Sequence, residues 1–215
     1  ANNNTAVGYQ SLQANTTGTQ NTAVGANALK VITTGDYCTA IGYNGLRNNT
    51  ADNSTACGYS ALQDNTTGAN NTAVGYFALV TNTTGLANVA VGSISLDANT
   101  TGNYNVALGY ESLSANTTAD ENTALGSFTL RYNTTGGNNT AAGYKALEAN
   151  TTASNNTAFG FEALNDNTTG TENTAVGSYA LDANTTGDAN IAVGYECLDA
   201  NSTGSDNTGL GTLAL

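Results

Sequence analysis

The chain contains no histidine, tryptophan, methionine or proline, and very few basic residues. Without histidine, the commonest general base and the Ser–His and Cys–His nucleophile arrangements are excluded, so we expect no enzymatic activity and no catalytic residues. Lys and Arg together number 4 against 16 Asp and Glu, and the net charge of −12 argues against binding to nucleic acid. No apolar stretch reaches the length of a transmembrane helix, so we expect no membrane insertion.

Cysteine is scarce as well, with Cys38, Cys57 and Cys197 as its only occurrences. They fall at three different positions of the repeat described below, which predicts neither a disulfide framework nor a metal cluster. A bridge between Cys38 and Cys57 stays open as an alternative. No repeat position holds Asp in most copies, as a calcium-binding β-roll would require. We therefore expect no metal and no cofactor.

What the chain does contain is a glycine that recurs every seventeen residues, thirteen times from Gly8 to Gly211, with one sixteen-residue interval after Gly42. Counting this glycine as position 0, position −3 is Thr, Val or Ile, position −1 is apolar, and position +4 is leucine in every copy. A β-branched residue at every −3 position favours strand over helix. A short fixed period is typical of repeat architectures.

The period predicts an all-β fold, a parallel β-solenoid of thirteen coils with about seventeen residues per coil. We expect one repeat domain over residues 1–215, uncapped at both ends. The absence of proline fits continuous pairing between coils, since proline cannot donate to a ladder of hydrogen bonds. All charged residues fall at five of the seventeen positions, and the uncharged positions are predicted to be buried or stacked against their own copies.

Asparagine occupies positions −4 and +7 almost throughout, and the pattern has two explanations. Stacked side-chain amides can hydrogen-bond from coil to coil and form a ladder. The triplet Asn-Thr-Thr also matches the N-glycosylation acceptor pattern. The ladder is favoured, and the residues predicted as glycosylation sites under the other explanation are Asn15, Asn65, Asn82, Asn99, Asn116, Asn133, Asn150, Asn167 and Asn184.

Alanine occupies position −2 in twelve copies and suggests a contact between chains. If Thr at −3 and the apolar residue at −1 face the coil interior, alternation along the strand places the alanines outside as a flat, uncharged stripe. The alternative is the inverse facing, with alanine inside. The stripe predicted to mediate self-association comprises Ala6, Ala23, Ala40, Ala56, Ala73, Ala90, Ala107, Ala124, Ala141, Ala158, Ala175 and Ala192.

Two further surfaces suggest ligand binding. Regular threonine rows on a solenoid can bind ice, but the threonines at +8 and +9 are adjacent, so only one row should reach solvent. Tyrosine recurs at position +1, interrupted irregularly by serine, and such a row is either an aromatic stack on the outer wall or a platform for sugars.

The segments Asn71 to Gly75 (Asn-Thr-Ala-Val-Gly) and Asn190 to Gly194 (Asn-Ile-Ala-Val-Gly) resemble the head repeat of trimeric autotransporter adhesins. The longer unit from Asn71 to Gly85 is similar to the repeat shafts of tail-fibre proteins that end in an endosialidase-type chaperone domain. The resemblance to the adhesin heads implies a left-handed parallel β-roll that trimerises and sticks to host surfaces.

The sequence therefore predicts a non-catalytic structural or adhesive segment of an extracellular or cell-surface fibre. The expected partner is another copy of the chain, in a homo-oligomer such as a trimer or in an end-to-end filament, with a cell or host surface as a further partner. The alternative is a solenoid that binds a ligand, either ice or a glycan.

Overall fold

The computed structural model describes all 215 residues and consists of short strands and turns, without a helix. The predicted all-β, parallel β-solenoid with about seventeen residues per turn is confirmed. No helix that could cross a membrane is present. The strands are β1 (Thr5–Val7), β2 (Thr22–Val24), β3 (Thr39–Ile41), β4 (Thr55–Cys57), β5 (Thr72–Val74), β6 (Val89–Val91), β7 (Val106–Leu108), β8 (Thr123–Leu125), β9 (Thr140–Ala142), β10 (Thr157–Phe159), β11 (Thr174–Val176), β12 (Ile191–Val193) and β13 (Thr208–Leu210).

The chain forms two compact units, Ala1–Asn105 with β1 to β6 and Val106–Leu215 with β7 to β13. Within each unit, every strand pairs in parallel with the next strand of the sequence. The register joins equivalent repeat positions, so that Ala158 of β10 lies beside Ala175 of β11. Identical residues are therefore stacked in rows along each unit. The single domain predicted over residues 1–215 stays a prediction.

The glycine at position 0 is required by backbone conformation and by space. All thirteen copies have φ between +121° and +145°, a region that side chains with a Cβ rarely adopt. A Cβ on Gly126 would also lie 2.6 Å from the carbonyl oxygen of Gly143 in the following coil. The chain thus turns a corner where the backbones of neighbouring coils approach most closely.

Three further positions of each coil, −5, +2 and +4, have left-handed backbone with φ between +48° and +63°. Position +4 is always leucine, for which this conformation costs about 1–2 kcal/mol. Burial offsets the cost, because Leu130 is fully buried and its backbone N–H donates to the carbonyl of Ala146 in the next coil, at 3.1 Å. The repeat therefore tolerates a strained leucine because the leucine is the largest apolar side chain inside the coil.

The prediction of an outward alanine stripe is wrong, because the middle residue of each strand points into the coil. The buried copies, all with zero exposure, are Ala23, Ala40, Ala56, Ala73, Ala90, Ala107, Ala124, Ala141, Ala158, Ala175 and Ala192, while Ala6 in β1 is exposed. At position −2 the interior leaves no space for a side chain larger than that of alanine. At Gly209, where the methyl group is missing, the neighbouring side chains are closer still, and an added Cβ would lie 2.6 Å from Cys197 Sγ and 2.8 Å from Leu198 Cγ. The inverse facing is the correct one.

We predict that Gly126→Ala destabilises the protein by about 2 kcal/mol or more, since the new Cβ meets both a left-handed φ and a neighbouring carbonyl. The matched control is Gly136→Ala at position +10. A Cβ on Gly136 would approach the Ala153 carbonyl oxygen even more closely than a Cβ on Gly126 approaches Gly143, so space alone predicts at least as large a loss for the control. Its φ is not left-handed, however, and alanine stands at this position naturally at Ala119 and Ala153, so we expect the smaller loss there. Urea unfolding, followed by circular dichroism, measures the free energy of unfolding of both variants. Equal losses for the two variants would contradict the role assigned to φ.

Candidate functional site

Asparagine at position +7 forms a buried ladder that runs from coil to coil. Asn82 Nδ2 donates to Asn65 Oδ1 at 2.7 Å, and Asn99 Nδ2 donates to Asn82 Oδ1 at 2.9 Å. In the second unit, Asn150 Nδ2 donates to Asn133 Oδ1 at 2.8 Å. The predicted amide ladder is confirmed at this position. Because these side chains are fully buried, the ladder satisfies polar atoms that would otherwise be costly inside the coil.

The asparagines at positions −4 and +7 share one acceptor, the backbone carbonyl at position +10. The carbonyl oxygen of Gly85 accepts from Asn71 Nδ2 at 2.7 Å and from Asn82 Nδ2 at 2.9 Å. The Oδ1 atom of Asn71 in turn accepts the backbone N–H of Asn88 in the next coil, at 2.9 Å. We call this arrangement the asparagine clamp. The sequence shows the two asparagine rows but not the carbonyl that joins them.

The burial of position +7 contradicts glycosylation of the folded chain. Asn65, Asn82, Asn99, Asn116, Asn133, Asn150, Asn167 and Asn184 have zero exposure, and Asn15 is half-buried. The Nδ2 atom that would carry a glycan donates hydrogen bonds inside the coil instead; in Asn15 it donates to the Gly18 carbonyl at 3.1 Å. A glycan at these atoms would break the ladder, so the prediction of glycosylation sites is wrong for the folded protein.

Where an asparagine of the clamp is replaced, a different group takes its place. Cys38 stands at position −4, and its thiol donates to the Ala51 carbonyl at 3.2 Å, beside the amide of Asn49, which donates to the same oxygen at 2.8 Å. Burial raises the pKa of the Cys38 thiol. All three cysteines are free, with Cys57 exposed and Cys38 buried, so the alternative of a bridge between them is contradicted.

The two threonine rows differ in hydrogen bonding. The hydroxyl at position +8 donates to the carbonyl at the same position of the next coil, as from Thr83 to Thr100 at 3.0 Å and from Thr134 to Thr151 at 2.9 Å. The threonines at +9, such as Thr169, are exposed, and those at +8 are half-buried or, as at Thr66, exposed as well. The prediction that only one row reaches solvent is therefore wrong. Binding of this row to ice stays a prediction.

The strands turn an uncharged and largely apolar face outward, which we call the strand face. It consists of positions −3 and −1 of each coil. Position −1 is apolar throughout, and exposed examples are Val24 (37%), Ile41 (44%), Leu108 (47%), Phe159 (43%) and Val176 (37%). Soluble proteins rarely leave a continuous apolar row unpartnered. The sequence does not predict this face, because alternation along a strand fits either facing and the opposite one is favoured there.

The row of aromatic rings predicted at position +1 has fewer gaps when the residues at position +2 are included. In the second unit, rings stand at +1 in four coils, and where +1 is serine the ring comes from +2. The consecutive rings are Tyr110, Phe128, Tyr144, Phe161, Tyr179 and Tyr195, with centroids 5.3–6.4 Å apart. The first unit has a shorter series, Tyr43, Tyr59 and Tyr76, at 5.3 and 5.6 Å. We call the six rings of the second unit the aromatic row; reading +1 and +2 together in the sequence would have revealed it.

A charge network lies next to the aromatic row. The Arg131 guanidinium pairs with Glu111 at 2.5 Å and lies 5.0 Å from the centre of the Phe128 ring. Lys145 pairs with Glu148 at 3.3 Å. A hydrogen bond to Glu111 raises the pKa of Tyr110, and one to Glu196 raises the pKa of Tyr195. Carboxylates thus stand directly beside the rings.

The side chains at this surface are aromatic rings, carboxylates and two cationic groups, Arg131 and Lys145. No group of three or more Cys, Asp or Glu side chains that could hold a metal ion is present. Comparison with known protein families, with curated proteins and with solved structures gives no match for this chain. The resemblance to adhesin heads and fibre shafts therefore stays a prediction from the repeat motif, as do the expectations of no enzymatic activity, no metal and no cofactor.

We predict that Asn82→Ala lowers the free energy of unfolding by about 2–4 kcal/mol, because it removes the buried hydrogen bonds that the Asn82 amide makes to Asn65, Gly85 and Asn99 and leaves empty space in their place. The control is Thr84→Ala on the exposed threonine row of the same coil, with a change within about 0.5 kcal/mol. Thermal and urea unfolding measure the two. An Asn82→Ala protein as stable as the control would refute the importance of the ladder.

We predict that Asp182→Asn stabilises the protein at neutral pH. Burial raises the pKa of Asp182 above its ordinary value of 3.8, and the carboxylates of Asp199, Asp166 and Glu162 raise it further. The folded chain therefore binds this proton more tightly than the unfolded chain. The resulting destabilisation is present above the folded pKa and is lost as the pH falls below the unfolded pKa.

The measurement is the melting temperature of both proteins at pH 7 and at pH 3. The stabilisation should be present at pH 7 and absent at pH 3. The control Asp188→Asn removes the same charge from an exposed residue and keeps an oxygen that can accept the Thr171 backbone N–H. A gain for Asp182→Asn that persists unchanged at pH 3 would contradict the argument from protonation.

Proposed function

We propose that this chain is a non-catalytic structural segment of an extracellular fibre and that copies of it associate through the strand face. The observation that supports this most is the facing of the strands. In strands such as β8, β10 and β11 the alanine is buried, the β-branched residue before it is half-buried and the apolar residue after it is exposed. Because the narrow interior admits only the alanine, the apolar row at position −1 is left for a partner to cover.

Each unit is built to be stiff. The asparagine clamp, the hydroxyls at +8 and the backbone all hydrogen-bond from one coil to the next. Such contacts are made between nearest neighbours and repeat in every coil, which is the basis of stability in solenoid proteins. Stiffness of this kind suits a spacer or shaft, whose function is to hold a shape.

A second copy fits the strand face by charge. The net charge of −12 opposes association of copies, yet positions −3 and −1 carry no charge in any coil. The equal spacing of strands also lets the faces of two copies match along their length. Trimer and filament are alternative geometries for the same contact.

The extracellular or cell-surface location, and adhesion to a cell or host surface, rest on the resemblance of the repeat to adhesin heads and fibre shafts. The outward apolar residues support adhesion only indirectly, because the same residues serve the contact between copies. The self-associating structural role is therefore the central part of the proposal.

We predict that Val176→Asp on the strand face weakens self-association by tenfold or more, because each partner would bury an unpaired carboxylate. The control Thr169→Asp adds the same charge to the exposed threonine row. Sedimentation velocity over a range of concentrations gives the oligomeric state, and circular dichroism checks that both variants are folded. Mass per unit length from electron microscopy then counts the copies in a cross-section.

The proposal fails if the unmodified chain is monomeric at all concentrations tested. It also fails if Thr169→Asp dissociates the assembly as strongly as Val176→Asp, since the loss would then follow net charge and not the strand face.

A further inference from the structure

In the aromatic row of the second unit, positions +1 and +2 follow a regular pattern of residue types. Each of the six coils supplies one ring and one polar group at positions +1 and +2, in either order. The pairs are Tyr110 with Glu111, Ser127 with Phe128, Tyr144 with Lys145, Phe161 with Glu162, Ser178 with Tyr179, and Tyr195 with Glu196. A ring beside a hydrogen-bonding group is thus repeated in the first six coils of this unit, and the last coil has Thr212 and Leu213 instead.

The geometry leaves ring surface available. Four of the five contacts between consecutive rings are edge-to-face, with interplanar angles from 70° to 89°, and only Tyr144 and Phe161 stack in parallel. An edge-to-face contact covers the face of only one of its two rings. Tyr110, Tyr144, Phe161 and Tyr195 remain between 42% and 48% exposed. The row therefore presents a series of aromatic rings whose faces are partly exposed.

The polar groups of the row decide which partner fits. Glu111, Glu162 and Glu196 stand beside three of the rings, and the hydroxyls of Tyr110 and Tyr195 hydrogen-bond to their neighbouring carboxylates. Nucleic acids and other polyanions are repelled by these carboxylates. A second copy docked row to row in register would bring like charges together, Glu162 against Glu162 and Lys145 against Lys145. A neutral partner with hydroxyl donors avoids both problems, because carboxylates accept hydrogen bonds from hydroxyls.

We propose that the aromatic row binds a linear, uncharged polysaccharide of extended β-linked sugars lying along the axis of the second unit. Aromatic faces pack against the apolar C–H faces of pyranose rings, and carboxylates accept from their hydroxyls. The ring centroids repeat every 5.3–6.4 Å, close to the length of one sugar in an extended chain. A surface that repeats one ring per coil matches a polymer that repeats one sugar per step.

Affinity gel electrophoresis tests the proposal with the full chain and two soluble polymers of the same backbone, neutral hydroxyethylcellulose and anionic carboxymethylcellulose. We expect the protein to be retarded by the neutral polymer and much less by the anionic one. Phe161→Ala should weaken retardation about tenfold, while Phe161→Tyr, which keeps the ring, should retain it. The control Tyr37→Ala removes an exposed tyrosine that lies outside the row and should have no effect.

Circular dichroism establishes that each variant is folded before its retardation is interpreted. Absence of retardation by hydroxyethylcellulose would overturn the proposal, as would equal retardation of Phe161→Ala and the unmodified chain. If Phe161→Ala instead disrupts self-association in sedimentation, the row is a contact between copies and the proposal is wrong. The structural function is tested separately by Val176→Asp, so that either proposal can fail alone.

Discussion

The fold depends on the hydrogen bonds of the asparagine clamp. A coil of seventeen residues encloses so little space that no large apolar core can form, and its interior holds one leucine and small side chains. The backbone groups inside the corner must still be paired, since an unpaired buried group costs about 1–3 kcal/mol. Two asparagines that donate to one carbonyl, as at Gly85, satisfy both lone pairs of that oxygen and link the coil to its neighbour. The other recurrent features of the repeat maintain the backbone geometry in which this carbonyl accepts both hydrogen bonds.

The narrow interior also explains the unusual backbone of each coil. To bring the leucine at +4 inward within so few residues, the chain adopts left-handed conformations at +2 and +4, and passes through a glycine with φ near +134° at Gly126. Burial of the leucine and the hydrogen bonds between coils offset the strain of residues such as Leu130. Conformations that would be isolated outliers in a globular protein become regular because every coil repeats the same compensating contacts.

The period, the strands and the asparagine ladder could be predicted because each depends on one repeat position read down the sequence. The facing of the strands could not be predicted in this way, because Thr, Ala and Val all suit a strand. Which residue points inward depends on the width of the interior, and this width admits Ala175 and not Val176. The aromatic row was underestimated for a related reason. Phe128 and Tyr144 occupy different repeat positions, +2 and +1, so a single position read down the sequence does not show that their rings are neighbours.

The asparagine ladder at position +7 also gives each unit a net dipole along the direction in which the coils stack. Within each unit the amides that bond to one another all point the same way, with Nδ2 toward the preceding coil, from Asn82 to Asn65 and from Asn150 to Asn133. The dipoles of these amides add along the ladder, as peptide dipoles add along a helix, whereas strand dipoles in many sheets cancel. The two ends of the ladder therefore differ, since one end presents amide N–H groups and the other presents amide oxygens. Any assembly that continues this ladder has to join unlike poles, which favours head-to-tail order over head-to-head.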